Sequence, residues 1–117
     1  MNVRTETVAQ STVVVPEGRI DFGTAAVFEK ELEGALAVTA SPRSLIIDCA
    51  GLEYVSSAGL RAFLVTARTA QRTGVRFALC GLRPAVREVF DLSGFSRIIT
   101  IHTDRATALA QAHPGQP

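Results

Sequence analysis

Apolar positions along this chain recur in two alternating periods. Residues 3–15 alternate weakly and close on Val13-Val14-Val15. Pro16-Glu17-Gly18 then predicts a turn and Arg19-Ile20 a short extended piece, together a hairpin. From Phe22 to about Leu36, Ala25, Phe28, Leu32 and Leu36 return at helical intervals, with Gly34 a weak spot near the end. Ser41-Pro42 breaks that pattern, and Ser44-Leu45-Ile46-Ile47-Asp48 has the character of a strand buried on both faces. Leu60, Phe63, Leu64 and Ala67 then mark one face of a second helix that should stop at Gly74. Val75–Cys80 predicts another buried strand, and Pro84 suits the first turn of a helix carrying Val86, Val89 and Phe90, ended by Gly94. Ile98, Ile99 and Ile101 form a last strand, and Thr103 or Asp104 caps a final helix. Strand and helix alternating through short connections predict an α/β layer structure, with helices packed on a mixed sheet.

Composition narrows the function classes. The 117 residues make about one domain, long enough for a core without cross-links or metal, and the reading is a single domain with a core of about 3–112 and HPGQP as a flexible tail. Twelve Lys and Arg against eleven Asp and Glu give a formal charge of +1, no field for holding nucleic acid. No stretch has the apolar length of a signal peptide or of a membrane helix, which predicts a cytoplasmic protein. Cys49 and Cys80 lack CxxC spacing and a histidine pair, so they read as buried small hydrophobes, with a disulfide left open. No metal site or cofactor is expected.

The chemistry concentrates where Val55-Ser56-Ser57-Ala58-Gly59 joins a strand to a helix. The first amide groups of a helix lack partners and carry partial positive charge, so a serine there is a natural cap. One cap needs one serine, however, and the same end is hospitable to a covalent phosphate. Arg61, four residues beyond Ser57, shares its side of the helix and suits a dianion. A hydrolase nucleophile is disfavoured: V-S-S-A-G is not the G-x-S-x-G elbow, and the two histidines are His102, at the end of a strand, and His113, in the tail. The expectation is a protein that is not an enzyme.

The run Leu45–Asp48, followed by Gly51-Leu52-Glu53-Tyr54-Val55-Ser56-Ser57-Ala58-Gly59-Leu60-Arg61, resembles the STAS domains of bacterial anti-sigma factor antagonists, whose usual pattern is Asp-Ser-Ser-Gly-Leu after a buried strand. Gly18-Arg19-Ile20-Asp21 is similar to that family's Gly-x-Leu-Asp element, and Leu92-Ser93-Gly94-Phe95 to its segment before the last strand. In order and spacing the resemblance spans about residues 3–112. It implies a single STAS-like domain, with a mixed sheet of about four to five strands and about four helices.

It also implies a partner switch. The unphosphorylated antagonist binds an anti-sigma factor that is a serine kinase and so frees a sigma factor; phosphorylation at the helix-start serine, using ATP, ends the binding, and a metal-dependent serine phosphatase resets it. Gly59 and Leu60 match the family's Gly-Leu and place Ser57 at the phosphoacceptor, with Ser56 as the alternative. Ala58 stands where many members have a second hydroxyl residue, and Ser56 where many have aspartate. The implied partner surface comprises Asp21, Tyr54, Ser56, Ser57, Gly59 and Arg61, on a chain monomeric by itself. Asp21 reads equally as the cap of the first helix. A second reading is a regulatory or structural subunit of a transporter or stress-sensing assembly, in which STAS domains also occur. No Gly-rich phosphate loop supports nucleotide binding.

Overall fold

The computed structural model describes residues 1–39 and 43–112. The break at Ser41-Pro42 and the tail 113–117, with His113, lie outside the described residues.

Strands β1 (Asn2–Val8) and β2 (Ser11–Ile20) form an antiparallel hairpin in which Asn2 faces Glu17 and Val8 faces Ser11. The reversal is at Ala9-Gln10, where Ala9 adopts φ 54°. Pro16-Glu17-Gly18 is therefore not a turn but the middle of β2. Its parallel partners explain how a proline fits there: β3 (Ser44–Asp48) pairs with Ser11–Val14, and β4 (Leu52–Val55) pairs from Gly18 onward. Pro16 falls in the gap between the two, where no parallel ladder needs its missing N–H. Gly18, at φ 101°, takes up the irregularity as the register shifts between Gly18 and Arg19.

The sheet runs β1-β2-β3-β5-β6, with β5 (Arg76–Cys80) and β6 (Thr100–His102) parallel to β3, and β4 attached to β2. Among the described residues the mixed sheet holds six strands, where about four to five were predicted. The extra one is β4, whose four residues are too short for a periodic signal and whose strand character comes from pairing with the end of β2. The last strand is Thr100–His102, not the isoleucine run: Phe95–Arg97 forms a 3₁₀ turn and Ile98 is exposed.

Helices α1 (Ala25–Ala37), α2 (Ser57–Thr73) and α3 (Pro84–Leu92) cover one face. Helix α1 begins three residues later than its periodicity suggested, leaving Phe22 77% exposed. Each helix contributes one phenylalanine to a stack at the centre of this layer. Phe28 and Phe63 lie 5.1 Å apart and Phe63 and Phe90 5.3 Å apart, the latter edge-to-face. Alternation along β2 and β3 sends Val14, Leu45 and Ile47 into this layer and Val13, Val15 and Ile46 to the opposite face, under α4 (Arg105–Gln111). Helix α4 is capped by Asp104, whose carboxylate accepts from the Thr107 amide at 2.8 Å. The cysteines follow the same division: Cys49 packs in the first layer and Cys80 in the second, both as free thiols, so the disulfide left open by spacing does not form.

Candidate functional site

The end of β2 and the start of α2 meet at the top of the sheet. Ile20 pairs with Val55 on β4, and its carbonyl accepts from the Ser56 amide at 2.7 Å, tying the junction to β2. Ser56 is extended, with φ −80° and ψ 172°, and its hydroxyl accepts from the Gly59 amide at 3.2 Å. It is the helix cap, and it is 3% exposed. Ser57, the first helical residue, is exposed. The two adjacent serines thus occupy different environments: one hydroxyl is committed inside the fold, the other is presented to solvent at the positive end of a 17-residue helix.

Gly59 is required by the closeness of α2 to β2. A β-carbon there would lie 2.6 Å from Ile20 Cγ2 and 3.0 Å from Val55 Cγ1. Gly59 is buried, so it positions Ser57 rather than forming surface.

Asp21 follows Ile20 directly. Its Oδ1 accepts from the Thr24 amide at 3.0 Å and the Thr24 hydroxyl at 3.1 Å, and its own amide donates to Thr24 Oγ1 at 2.9 Å. This reciprocal ring closes the turn before α1 in the manner of a capping box. The Thr24 hydroxyl bond is foremost in holding the Asp21 carboxyl below the usual carboxylate range. The cap position of α1 is Thr24, so Asp21 closes the turn that precedes the helix instead of capping it, and it remains half-exposed beside Phe22.

Tyr54 is 40% exposed, and the Arg19 guanidinium lies over its ring at 4.4 Å. That pair is a direct product of register, since Arg19 and Tyr54 are opposite residues on β2 and β4. Arg61 is exposed one turn beyond Ser57. Of the residues expected at the surface, Asp21, Tyr54, Ser57 and Arg61 are accessible; Ser56 and Gly59 are buried. Sequence reasoning missed Phe22 and Arg19. Phe22 was absorbed into the first helix by its apolar character, and its exposure follows from the later helix start; Arg19 had no signal without the pairing of β4.

His102 ends β6 and, with Gln111 of α4, lines a cavity of about 310 Å³ on the α4 side of the sheet. Among the described residues, no group of three His, Cys, Asp or Glu side chains is placed to hold a metal, and no helix is long and apolar enough to cross a membrane.

Comparison with known proteins places this architecture. Residues 2–108 match the STAS domain family, and the chain belongs to it. It is 37% identical over 94 residues to BtrV of Bordetella bronchiseptica, provisionally named an anti-sigma factor antagonist, covering 80% of this chain and 79% of that one. The crystal structure of an anti-sigma factor antagonist from Mycobacterium paratuberculosis superposes with a TM-score of 0.86 at 25% identity, covering 95% of this chain and 92% of that one. The antagonist SpoIIAA, in its unphosphorylated form, shares the fold with a TM-score of 0.77 at 21% identity, covering 94% and 95%.

Proposed function

We propose that this chain is an anti-sigma factor antagonist. In its unphosphorylated form it binds an anti-sigma factor serine kinase in the cytoplasm, so that a sigma factor is released, and phosphorylation of Ser57 ends the binding. The observation that carries this reading is the division of labour between the serines: Ser56 is the buried cap and Ser57 the exposed hydroxyl. The relationship to BtrV supports the antagonist role, and a relative described in an unphosphorylated form supports regulation by phosphate.

The partner surface comprises Asp21, Phe22, Tyr54, Ser57 and Arg61, with Ser56 and Gly59 holding it in place. Phe22 supplies an apolar anchor, Asp21 a carboxylate oxygen and the Arg19–Tyr54 pair a rigid platform. A phosphate on Ser57 adds about −2 charge in the middle of this patch. Even with Arg61 one turn away, burying such a dianion against the partner costs several kcal/mol, enough to turn tight binding into weak binding. Ser57 lies outside the packed core, so the modification leaves the fold intact, and a metal-dependent serine phosphatase restores the binding form.

Intact-mass and site-mapping mass spectrometry on protein purified from its native cells, with identification of the proteins that accompany it, tests this reading. A phosphate on Ser57 and a serine kinase in the same preparation support it. An unmodified chain recovered with transporter subunits overturns it in favour of a structural subunit capped by Ser56.

A further inference from the structure

We infer that the solvent face of α2 is a docking surface for an acidic segment of the partner, extending from Ser57 to the carboxyl end of the helix. The inference rests on the antagonist reading and specifies the chemistry of the partner. Ser57, Arg61, Val65, Arg68 and Arg72 are spaced i, i+4, i+8, i+11 and i+15, which at about 100° per residue places them within an arc of about 80°. All five are exposed. They form one continuous stripe, basic along its length, with a single apolar residue near its centre.

The stripe reflects segregation of charge, since the whole chain carries only +1. The 17 residues of α2 include Arg61, Arg68 and Arg72 and no acidic residue, whereas α1 bears Glu29, Glu31 and Glu33 against Lys30 alone. Folding requirements do not account for the arrangement. A carboxylate in the first turn would favour α2, and there is none. Arg72 in the last turn suits the helix dipole, but Arg61 and Arg68 gain nothing from it. Arg68 and Arg72, four residues apart, repel each other. Among the described residues, no ion pair includes Arg61, Arg68 or Arg72, and Arg72 donates only to the Thr69 hydroxyl, at 3.3 Å.

The flanks give the surface its boundaries. Glu29 and Glu33 line a groove of about 460 Å³ with Val65 and Thr69, forming an acidic wall on the α1 side. On the other side, Arg68 and Gln71 line a cavity of about 270 Å³ with Ile98 and Ile99 and no acidic residue. A partner segment seated on α2 therefore presents carboxylates to the three arginines and an apolar contact to Val65, and its α1-facing flank carries no acids. Complementary charge of this kind accelerates encounter and sets register. It also shapes the switch: a phosphate on Ser57 draws in Arg61 and repels the partner's carboxylates at the head of the same stripe.

The test uses every serine-kinase anti-sigma factor encoded by the source genome, each purified and titrated by calorimetry at about 50 and 300 mM salt against wild type, Arg68→Glu/Arg72→Glu, Ser57→Asp and Glu31→Lys. The expected result is binding of one kinase to wild type. The double arginine reversal weakens it by about tenfold to a hundredfold at low salt and less at high salt, and Glu31→Lys leaves it unchanged. Equal affinity for wild type and the double reversal overturns the docking surface while leaving the antagonist reading intact. Binding of the double reversal to none, with Ser57→Asp binding as wild type does, supports the docking surface and removes the phosphate switch. If no kinase binds wild type, while vesicles of anionic phosphatidylglycerol bind it and not the double reversal, both readings fall and the stripe is a membrane-facing surface. Circular dichroism melts confirm that each exposed substitution leaves the fold intact.

Discussion

Gly59 and Ile20 approach so closely that a β-carbon on the glycine would sit 2.6 Å from the isoleucine Cγ2. This contact presses the first turn of α2 onto the end of β2 and thereby fixes where Ser57 emerges. Gly59→Ala must displace Ile20 or shift the helix, and overpacking of this kind costs about 1–3 kcal/mol. A lowered urea midpoint is the expected outcome, accompanied by weaker partner binding. A midpoint equal to that of wild type would show that the junction yields freely.

Ser56 and Ser57 separate cleanly under mutation. Loss of the Ser56 hydroxyl leaves the Gly59 amide without its partner, and Ser56→Ala is expected to destabilise by about 1 kcal/mol. Ser57→Ala leaves stability within about 0.5 kcal/mol. Incubation of both variants with the kinase and ATP should label Ser56→Ala and leave Ser57→Ala unlabelled; the reverse pattern would make Ser56 the acceptor.

Partner affinity should follow the charge at Ser57. Ser57→Ala is expected to bind the kinase whether or not ATP is present, and Ser57→Asp to bind about tenfold or more weakly. Phe22→Ala, which removes an exposed anchor without opening the core, should weaken binding comparably while leaving the melting temperature in place. Unchanged affinity in all three variants would move the interface away from this end of the sheet.

Arg105 ties α4 to the sheet through Glu6 at 2.7 Å and Asp48 at 2.8 Å, and Glu6 is also bonded by Arg4 at 3.0 Å. The hydrogen bond from Arg105 is the foremost reason that the Glu6 carboxyl lies below its ordinary 4.5. A folded value below the unfolded one contributes stability that is complete above about pH 4.5 and is lost as pH falls through the lowered value. Arg105→Met should therefore lose stability relative to wild type at pH 7, with the gap closing toward pH 3. A gap constant across that range would deny the ion pairs any part in the acid limb.

Burial, more than any neighbouring charge, pushes the Cys49 thiol well above its ordinary value and Cys80 up to about 12. Alkylation by iodoacetamide at pH 8 should be slow in the native protein and fast in urea, tracking global opening. Rapid labelling under native conditions would reveal local opening beside β3 or β5.

The alternation of strand and helix, the strands β3 and β5, the body of α2 and its stop at Gly74 were legible because their apolar positions repeat with a helix or strand period over five residues or more. So were the Ser-Ser cluster as a helix start and the family to which it points, since both reside in consecutive residues. Tertiary structure decided what depends on partners distant in sequence. Strand β4 exists because the end of β2 has free backbone groups to pair with it, and Pro16 belongs to β2 because it falls between two parallel neighbours. Arg19 reaches Tyr54 only through that pairing, and the cysteines part because the sheet places their side chains in opposite layers. The two serines, identical in the sequence and adjacent in the chain, are told apart only by burial: the packing of Gly59 on Ile20 and Val55 turns one hydroxyl inward as a cap and leaves the other in water.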